Sequence, residues 1–246
     1  MGWLLPSAGA SMIGTLILAL VYGYIYRQHR ERFIGIWSLG WVVYAGKFGF
    51  ELLMEVLPNN PALVFGFQLT AVLGGLLFLW GIHAFLAKPM SKWFVIGALF
   101  NTIWVGTGIA FNLPWPLLNF LTFVFLTLMY LWAGTIVIRT KELEIVGRYL
   151  TGWSLILWGL AHSIYFIPGG TLWLSPYWYF AAALLEFMVA TGTLLIYYSR
   201  IRLDLGASEF RFRMLAENAK DVIYRYRLKP IRLFEFVSPS VISTTG

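Results

Sequence analysis

The chain has 246 residues, of which 59% are hydrophobic and only 12% are charged, and it contains no cysteine. A soluble domain carries about 25% charged residues, so this composition indicates a membrane protein. The lack of cysteine excludes disulfides, thiolate metal sites and thiol nucleophiles, and the net charge of +7 comes without a nucleic-acid recognition motif, so no nucleic-acid partner is expected.

Seven segments have the roughly 20 mostly apolar residues that a membrane-spanning helix needs. In chain order they are residues 4–26, 33–56, 63–86, 93–111, 117–138, 149–166 and 177–198. We therefore predict an all-α membrane protein, with residues 1–198 forming a seven-transmembrane-helix bundle whose main partner is the lipid bilayer.

Among the segments that flank the spans, only every second one contains lysine or arginine. The basic loops cover residues 27–32, 88–92, 139–148 and 199–202, whereas residues 1–5, 57–61, 112–116 and 168–176 contain neither residue. Basic loops stay on the cytoplasmic side of a membrane. The pattern predicts a multi-pass protein of the cell's inner (plasma) membrane, with the N terminus outside and the C terminus in the cytoplasm.

Six ionisable side chains fall inside the apolar segments, where charge is costly and usually faces the bundle interior. They are Lys47, Glu51 and Glu55 on the second span, His83 on the third, His162 on the sixth and Glu186 on the seventh. The first three recur at intervals of four residues, so they share one helix face, on which Lys47 can pair with Glu51.

Depth separates four of these side chains from the other two. At about 1.5 Å per residue from the midpoint of each span, Lys47, Glu51, His162 and Glu186 lie in the outer half. We predict that these four line an outward-facing cavity for a small ligand, an ion or protons. The alternative is a buried polar network that only fixes helix packing. Glu55 is expected to be a solvated rim residue and His83 an interface residue near the cytoplasmic face.

No cofactor, metal site or catalytic residue is predicted. The seventh span has no lysine, which argues against the retinal Schiff base that the microbial rhodopsin family carries there. His83 and His162 differ in depth by about 19 Å, so they are too far apart to hold one haem iron from both sides.

The tail after the last span begins with a heptad-like pattern. Apolar residues dominate the positions spaced by three and four residues, which are Tyr198, Ile201, Leu205, Ser208, Phe212 and Leu215. This spacing is typical of a short parallel coiled coil. It predicts a cytoplasmic linker helix at 199–211 through which two copies form a homodimer, with a solvated amphipathic linker as the alternative.

The last 35 residues carry a recognisable motif. After a helical segment that ends near Asp221, residues 222–226 alternate like a strand, Lys229 and Pro230 form a turn, and residues 234–237 resemble a second strand. Phe212, Arg213, Leu215, Glu217, Asp221 and Ile223, followed by Val-Ser-Pro-Ser at 237–240 and Thr-Gly at 245–246, match the pattern that opens a PAS domain.

The segment 212–246 thus resembles the truncated start of an α+β PAS domain of bacterial membrane sensor histidine kinases and PAS-containing diguanylate cyclases. The resemblance implies that residues 1–198 are a sensor region whose signal passes through the PAS domain to a kinase or cyclase output. No catalytic motif lies in the chain itself, which is expected to be part of a longer protein. A small ion- or substrate-transporting bundle is the alternative, and a membrane enzyme using the carboxylates and His162 is a third hypothesis.

Overall fold

The computed structural model describes residues 4–58, 60–162, 175–218, 224–237 and 241–242. Within these ranges, seven α-helices precede a two-stranded antiparallel sheet. The helices are α1 (Leu4–His29), α2 (Arg32–Val56), α3 (Pro61–Phe85), α4 (Lys92–Ala110), α5 (Trp115–Arg139), α6 (Ile145–His162) and α7 (Ser175–Asn218). The strands are β1 (Tyr224–Arg227) and β2 (Leu233–Val237).

Six of the helices are long and apolar enough to cross a membrane, which confirms a multi-pass, mostly helical membrane protein. These are α1 to α5 and α7. Their surfaces carry large exposed apolar side chains, among them Leu20, Trp93 and Phe180, which is typical of a lipid-facing surface.

Helix α6 is the part of the predicted sixth span that the structure describes. It begins four residues before the predicted start at 149 and is described for 18 residues, as far as His162, while residues 163–166 of that span lie outside the described ranges. Its buried face is unusually polar and includes Arg148, Thr151, Ser154 and His162. The count of seven spans therefore stays a prediction.

The helix ends show why the loops between them can be short. Asn60 and Ser91 cap α3 and α4 by accepting hydrogen bonds from backbone N–H groups two residues later, at 3.0 and 3.4 Å. Ala87 and Asn112 have φ of 52° just after α3 and α4, which is the left-handed conformation that closes many helices.

Small residues allow α5, α6 and α7 to approach closely. A Cβ on Gly134 of α5 would lie 2.5 Å from the carbonyl oxygen of Gly152 on α6, and one on Gly192 of α7 would lie 2.3 Å from Oγ1 of Thr151. The Thr127 hydroxyl also donates to the Gly159 carbonyl at 3.0 Å, which joins α5 to α6 again. Close backbone contact and interhelical hydrogen bonds of this kind hold membrane helices together.

An aromatic cluster fills the centre of the bundle. The Trp158 ring stacks on Tyr130 with a centroid distance of 4.6 Å, and its other neighbours include Trp41 at 6.4 Å and Tyr44 at 5.4 Å. Phe78 of α3 lies 4.4 Å from Trp41. The cluster joins α2, α3, α5 and α6, and its Tyr130 and Tyr44 rings lie next to the polar residues His162 and Lys47.

Residues 196–246 form a second compact unit, which holds the end of α7 and the hairpin. Tyr224 pairs with Val237 and Arg227 with Leu233, and an ion pair of 2.5 Å joins Arg227 to Glu235 across the strands. The two strands overlap the predicted ones: β1 extends one residue past 226, and β2 begins one residue before 234. Residues 221–223, 238–240 and 245–246 of the PAS motif lie outside the described ranges, so the PAS assignment stays a prediction.

Helix α7 differs from the predicted arrangement in one respect. The last span, the linker at 199–211 and the first residues assigned to the PAS start form one uninterrupted helix of 44 residues. Within the helix, residues 177–218 include no proline and only Gly192 and Gly206 as glycines, so little in this sequence would break it.

Candidate functional site

Lys47 lies among aromatic rings within the bundle. Its ammonium nitrogen is 4.8 Å from the centroid of Phe48, 5.4 Å from that of Tyr44 on the same helix, and 5.4 Å from that of Phe67 on α3. Attraction between a cation and aromatic rings stabilises a charge that has lost much of its water. The rings therefore hold the lysine charge at this depth in the bundle.

Glu51 binds α7 rather than Lys47. The Tyr179 hydroxyl donates a hydrogen bond to Oε1 of Glu51, while Oε2 is buried and has no hydrogen-bond partner. Within the described ranges no ion pair joins Lys47 and Glu51, so the pair that their spacing predicts is wrong. Lys47 instead lies among the rings, and Glu51 is bound by Tyr179. Glu55 is exposed, as expected of a rim residue.

Glu186 is the most deeply buried acid of the described bundle, with 3% of its surface exposed. The Tyr44 hydroxyl of α2 donates a hydrogen bond to its carboxylate, and Lys47 and Tyr130 lie close enough to interact with its charge. Its Oε1 atom is buried and has no hydrogen-bond partner. Glu186 thus links α7 to α2.

His162 is held in a defined tautomer. Its Nδ1 lies 2.8 Å from the carbonyl oxygen of Trp158, and its ring stacks on Tyr130 at a centroid distance of 5.5 Å. A carbonyl oxygen accepts hydrogen bonds and cannot donate them, so Nδ1 carries the hydrogen. In the neutral imidazole, Nε2 is then left with a lone pair.

A small pocket of about 30 Å³ lies between α2, α6 and α7. Its lining includes Tyr44, Lys47, His162 and Tyr179. A volume of this size has room for one or two water molecules. Lys47 and His162 therefore line the pocket directly, whereas Glu51 and Glu186 are joined to it through Tyr179 and Tyr44.

Of the four residues predicted to line one cavity, Lys47 and His162 line this pocket, and Glu51 and Glu186 are not among its lining residues. What the sequence did not indicate is the set of tyrosines between them. Tyr44 precedes Lys47 by three residues and Tyr179 precedes Glu186 by seven, so each shares a helix face with a predicted residue. A search for polar aromatic residues on those faces would have found both.

His83 is buried at the end of α3, beside the backbone of Lys88 and Pro89, and it belongs to no pocket described here. Across the described part of the chain, no group of three or more histidine or acidic side chains is placed to hold a metal ion.

Comparison with known proteins adds no further assignment to this geometry. No family model matches the chain, and no curated protein or solved structure is significantly similar to it.

Proposed function

We propose that this chain is the membrane input region of a signalling receptor. The polar cluster of Lys47, Glu51, His162 and Glu186 detects a small ligand, an ion or a change in the membrane. Helix α7 then passes the response to the PAS segment in the cytoplasm. The cluster supports this because intramembrane charge is expensive and is usually kept for a function.

The observation that carries the proposal is the continuity of α7. A helix of 44 residues is about 66 Å long, more than twice the hydrocarbon thickness of about 30 Å. The same helix holds Tyr179 and Glu186 of the cluster and, further on, the heptad positions of the linker. We propose that a displacement of α7 at the cluster is passed along this helix to its linker residues.

The tail residues indicate which output the receptor controls. Their resemblance to a PAS start implies an output by histidine autophosphorylation or by cyclic dinucleotide synthesis. The alternating basic loops support a cytoplasmic tail and an extracellular N terminus in a bacterial-type inner membrane. The output and the orientation are both inferred from the sequence pattern.

The linker supports a dimeric receptor. Leu205, Phe212 and Leu215 occupy heptad positions and are exposed on α7. Exposed apolar residues at this spacing fit a second copy of the same helix.

Crosslinking tests the dimer and the signal path together. The chain has no cysteine, so a Leu205→Cys variant has a single reactive thiol. We expect rapid disulfide formation between copies in native membranes, and little in a Leu203→Cys variant, where an equally exposed leucine lies on the opposite side of the helix. Equal rates for the two variants would contradict a coiled-coil seam.

The second half of this experiment adds a change in the cluster. Lys47→Met or Glu186→Gln, combined with Leu205→Cys, should alter the crosslinking rate because both change the attraction between α2 and α7. Glu55→Gln is the matched control, since Glu55 lies on the same helix as Lys47 but is exposed. If no change in the cluster affects the linker, the receptor proposal fails.

A transporter is the second candidate because Lys47 and His162 of the polar cluster line a water-sized pocket inside the bundle. Uptake of an ion by proteoliposomes that depends on Glu186 would favour it over the receptor.

A further inference from the structure

The size of the pocket restricts what the cluster can detect. A space of about 30 Å³ holds water but no organic ligand the size of an amino acid. The lining includes Lys47 and the aromatic rings of Phe48 and Trp158. Within the described residues, the pocket therefore fits water or a small ion.

The direction of the hydrogen bonds restricts the occupant further. The hydroxyl hydrogens of Tyr44 and Tyr179 point to Glu186 and Glu51, and the Nδ1 hydrogen of His162 points to a backbone carbonyl. Lys47 supplies N–H groups to the same lining. A water molecule can accept a hydrogen bond from the ammonium group, so water suits this pocket.

One carboxylate oxygen of Glu186 lies in surroundings that favour a bound proton. Its Oε1 is buried without a hydrogen-bond donor, in a side chain that is 3% exposed. A charged oxygen in this position bears the full cost of burial. Adding a proton removes the charge, and the one donor present, Tyr44, can keep its hydrogen bond to the carboxyl group.

Every helix packed around Glu186 contributes to its surroundings. The titratable groups facing the cluster are Lys47, Glu51 and Tyr44 of α2, Tyr130 of α5, His162 of α6, and Tyr179 of α7 itself. Lys47 provides the only fixed positive charge of this set, and Glu51 is already bound by Tyr179. Glu186 is thus the acid whose charge state governs the attraction between Lys47 and α7.

From this geometry we propose that Glu186 binds a proton delivered through the pocket, and that this proton is the stimulus to which the receptor responds. The second statement rests on the proposed receptor function. A proton that reaches the water of the pocket adds to the Glu186 carboxylate. Water and a neutral carboxyl group remain, and α7 loses its attraction to Lys47.

Infrared spectroscopy of the full chain in lipid nanodiscs tests the binding step. A protonated carboxylic acid has a C=O stretching band that the ionised group lacks, so lowering the pH should produce a band that shifts in D₂O. Glu186→Gln should remove the Glu186 component of that band, whereas the control Glu55→Gln should keep it. A band that is unchanged in Glu186→Gln, or no band in the unaltered chain, overturns the proposal.

Two additions keep the test decisive. If Glu186→Gln does not fold, Glu186→Asp keeps a carboxyl group and should shift the band rather than remove it. The crosslinking rate of the Leu205→Cys variant, measured over the same pH range, should change at the same pH as the infrared band. If substitutions in the cluster alter crosslinking but no Glu186 band exists, the receptor proposal is supported and the proton proposal is overturned. If the band titrates while crosslinking is constant, the proton is not the stimulus.

Discussion

Three tyrosine hydroxyls connect α7 to the first two helices. Tyr22 of α1 donates to the Ala190 carbonyl at 2.9 Å and is hydrogen-bonded to Thr193. Tyr44 of α2 donates to Glu186, and Tyr179 of α7 donates to Glu51. At the scale of single residues, the attachment of α7 to α1 and α2 thus relies on polar bonds from aromatic side chains.

Replacing Tyr22 by phenylalanine should weaken the attachment of α7 to α1. The variant keeps the ring and loses one buried donor, so its free energy of unfolding should fall by about 1 kcal/mol. Tyr24→Phe is the control, because Tyr24 is 63% exposed whereas Tyr22 is 1% exposed. Denaturant titration in detergent measures both variants, and equal stabilities would show that the hydroxyl of Tyr22 does not hold α7.

The sequence identified the charged members of the cluster but not their partners. Charge inside an apolar segment is visible without a structure, so Lys47, Glu51, His162 and Glu186 could all be found. The choice of partner depends on side-chain rotamers and on the rotation of neighbouring helices. Glu51 therefore binds Tyr179 on another helix, although Lys47 lies one turn away on its own.

At the scale of elements, glycine decides how closely α6 and α7 approach. A Cβ at position 192 would lie 2.8 Å from the backbone nitrogen of Thr151 and 3.1 Å from the carbonyl oxygen of Gly147. These are backbone atoms, so relief requires movement of a whole helix. Hydropathy identifies α7 as a helix, but it contains no information about which of its faces meets a neighbour.

Gly192→Ala should therefore separate α6 from α7. We expect the free energy of unfolding to fall by about 1–3 kcal/mol, the usual cost of overpacking. Gly14→Ala, on α1 with no atom within 4 Å of the added Cβ, should leave stability unchanged or slightly higher. Thermal unfolding of the two variants in the same detergent compares them, and a neutral Gly192→Ala would contradict the close approach.

At the scale of the whole molecule, hydropathy predicted the helical membrane bundle because long apolar segments leave few alternatives. It was less informative for α6, whose buried face carries Arg148 and Thr151 and whose described part is 18 residues long. A helix face that packs against other helices can carry polar residues where a lipid-facing one cannot. Mean hydropathy therefore underestimates a helix with one polar, buried face.

The orientation of the bundle follows from the basic loops and can be tested with single cysteines. A Leu57→Cys variant should react with a membrane-impermeant maleimide in intact cells, because its loop contains no Lys or Arg and is predicted to be outside. A Lys141→Cys variant should react only after the membrane is opened. The reverse pattern would show that the chain is inserted the other way round.

The continuity of α7 also limits how the length of this helix can vary. Each residue added between the cluster and the hairpin turns everything after it by about 100°, so two residues turn it by about 200°. Seven residues return it to within about 20° of its starting direction. Chains that share this mechanism should therefore tolerate linkers that differ by whole heptads and lose the response when the difference is one or two residues.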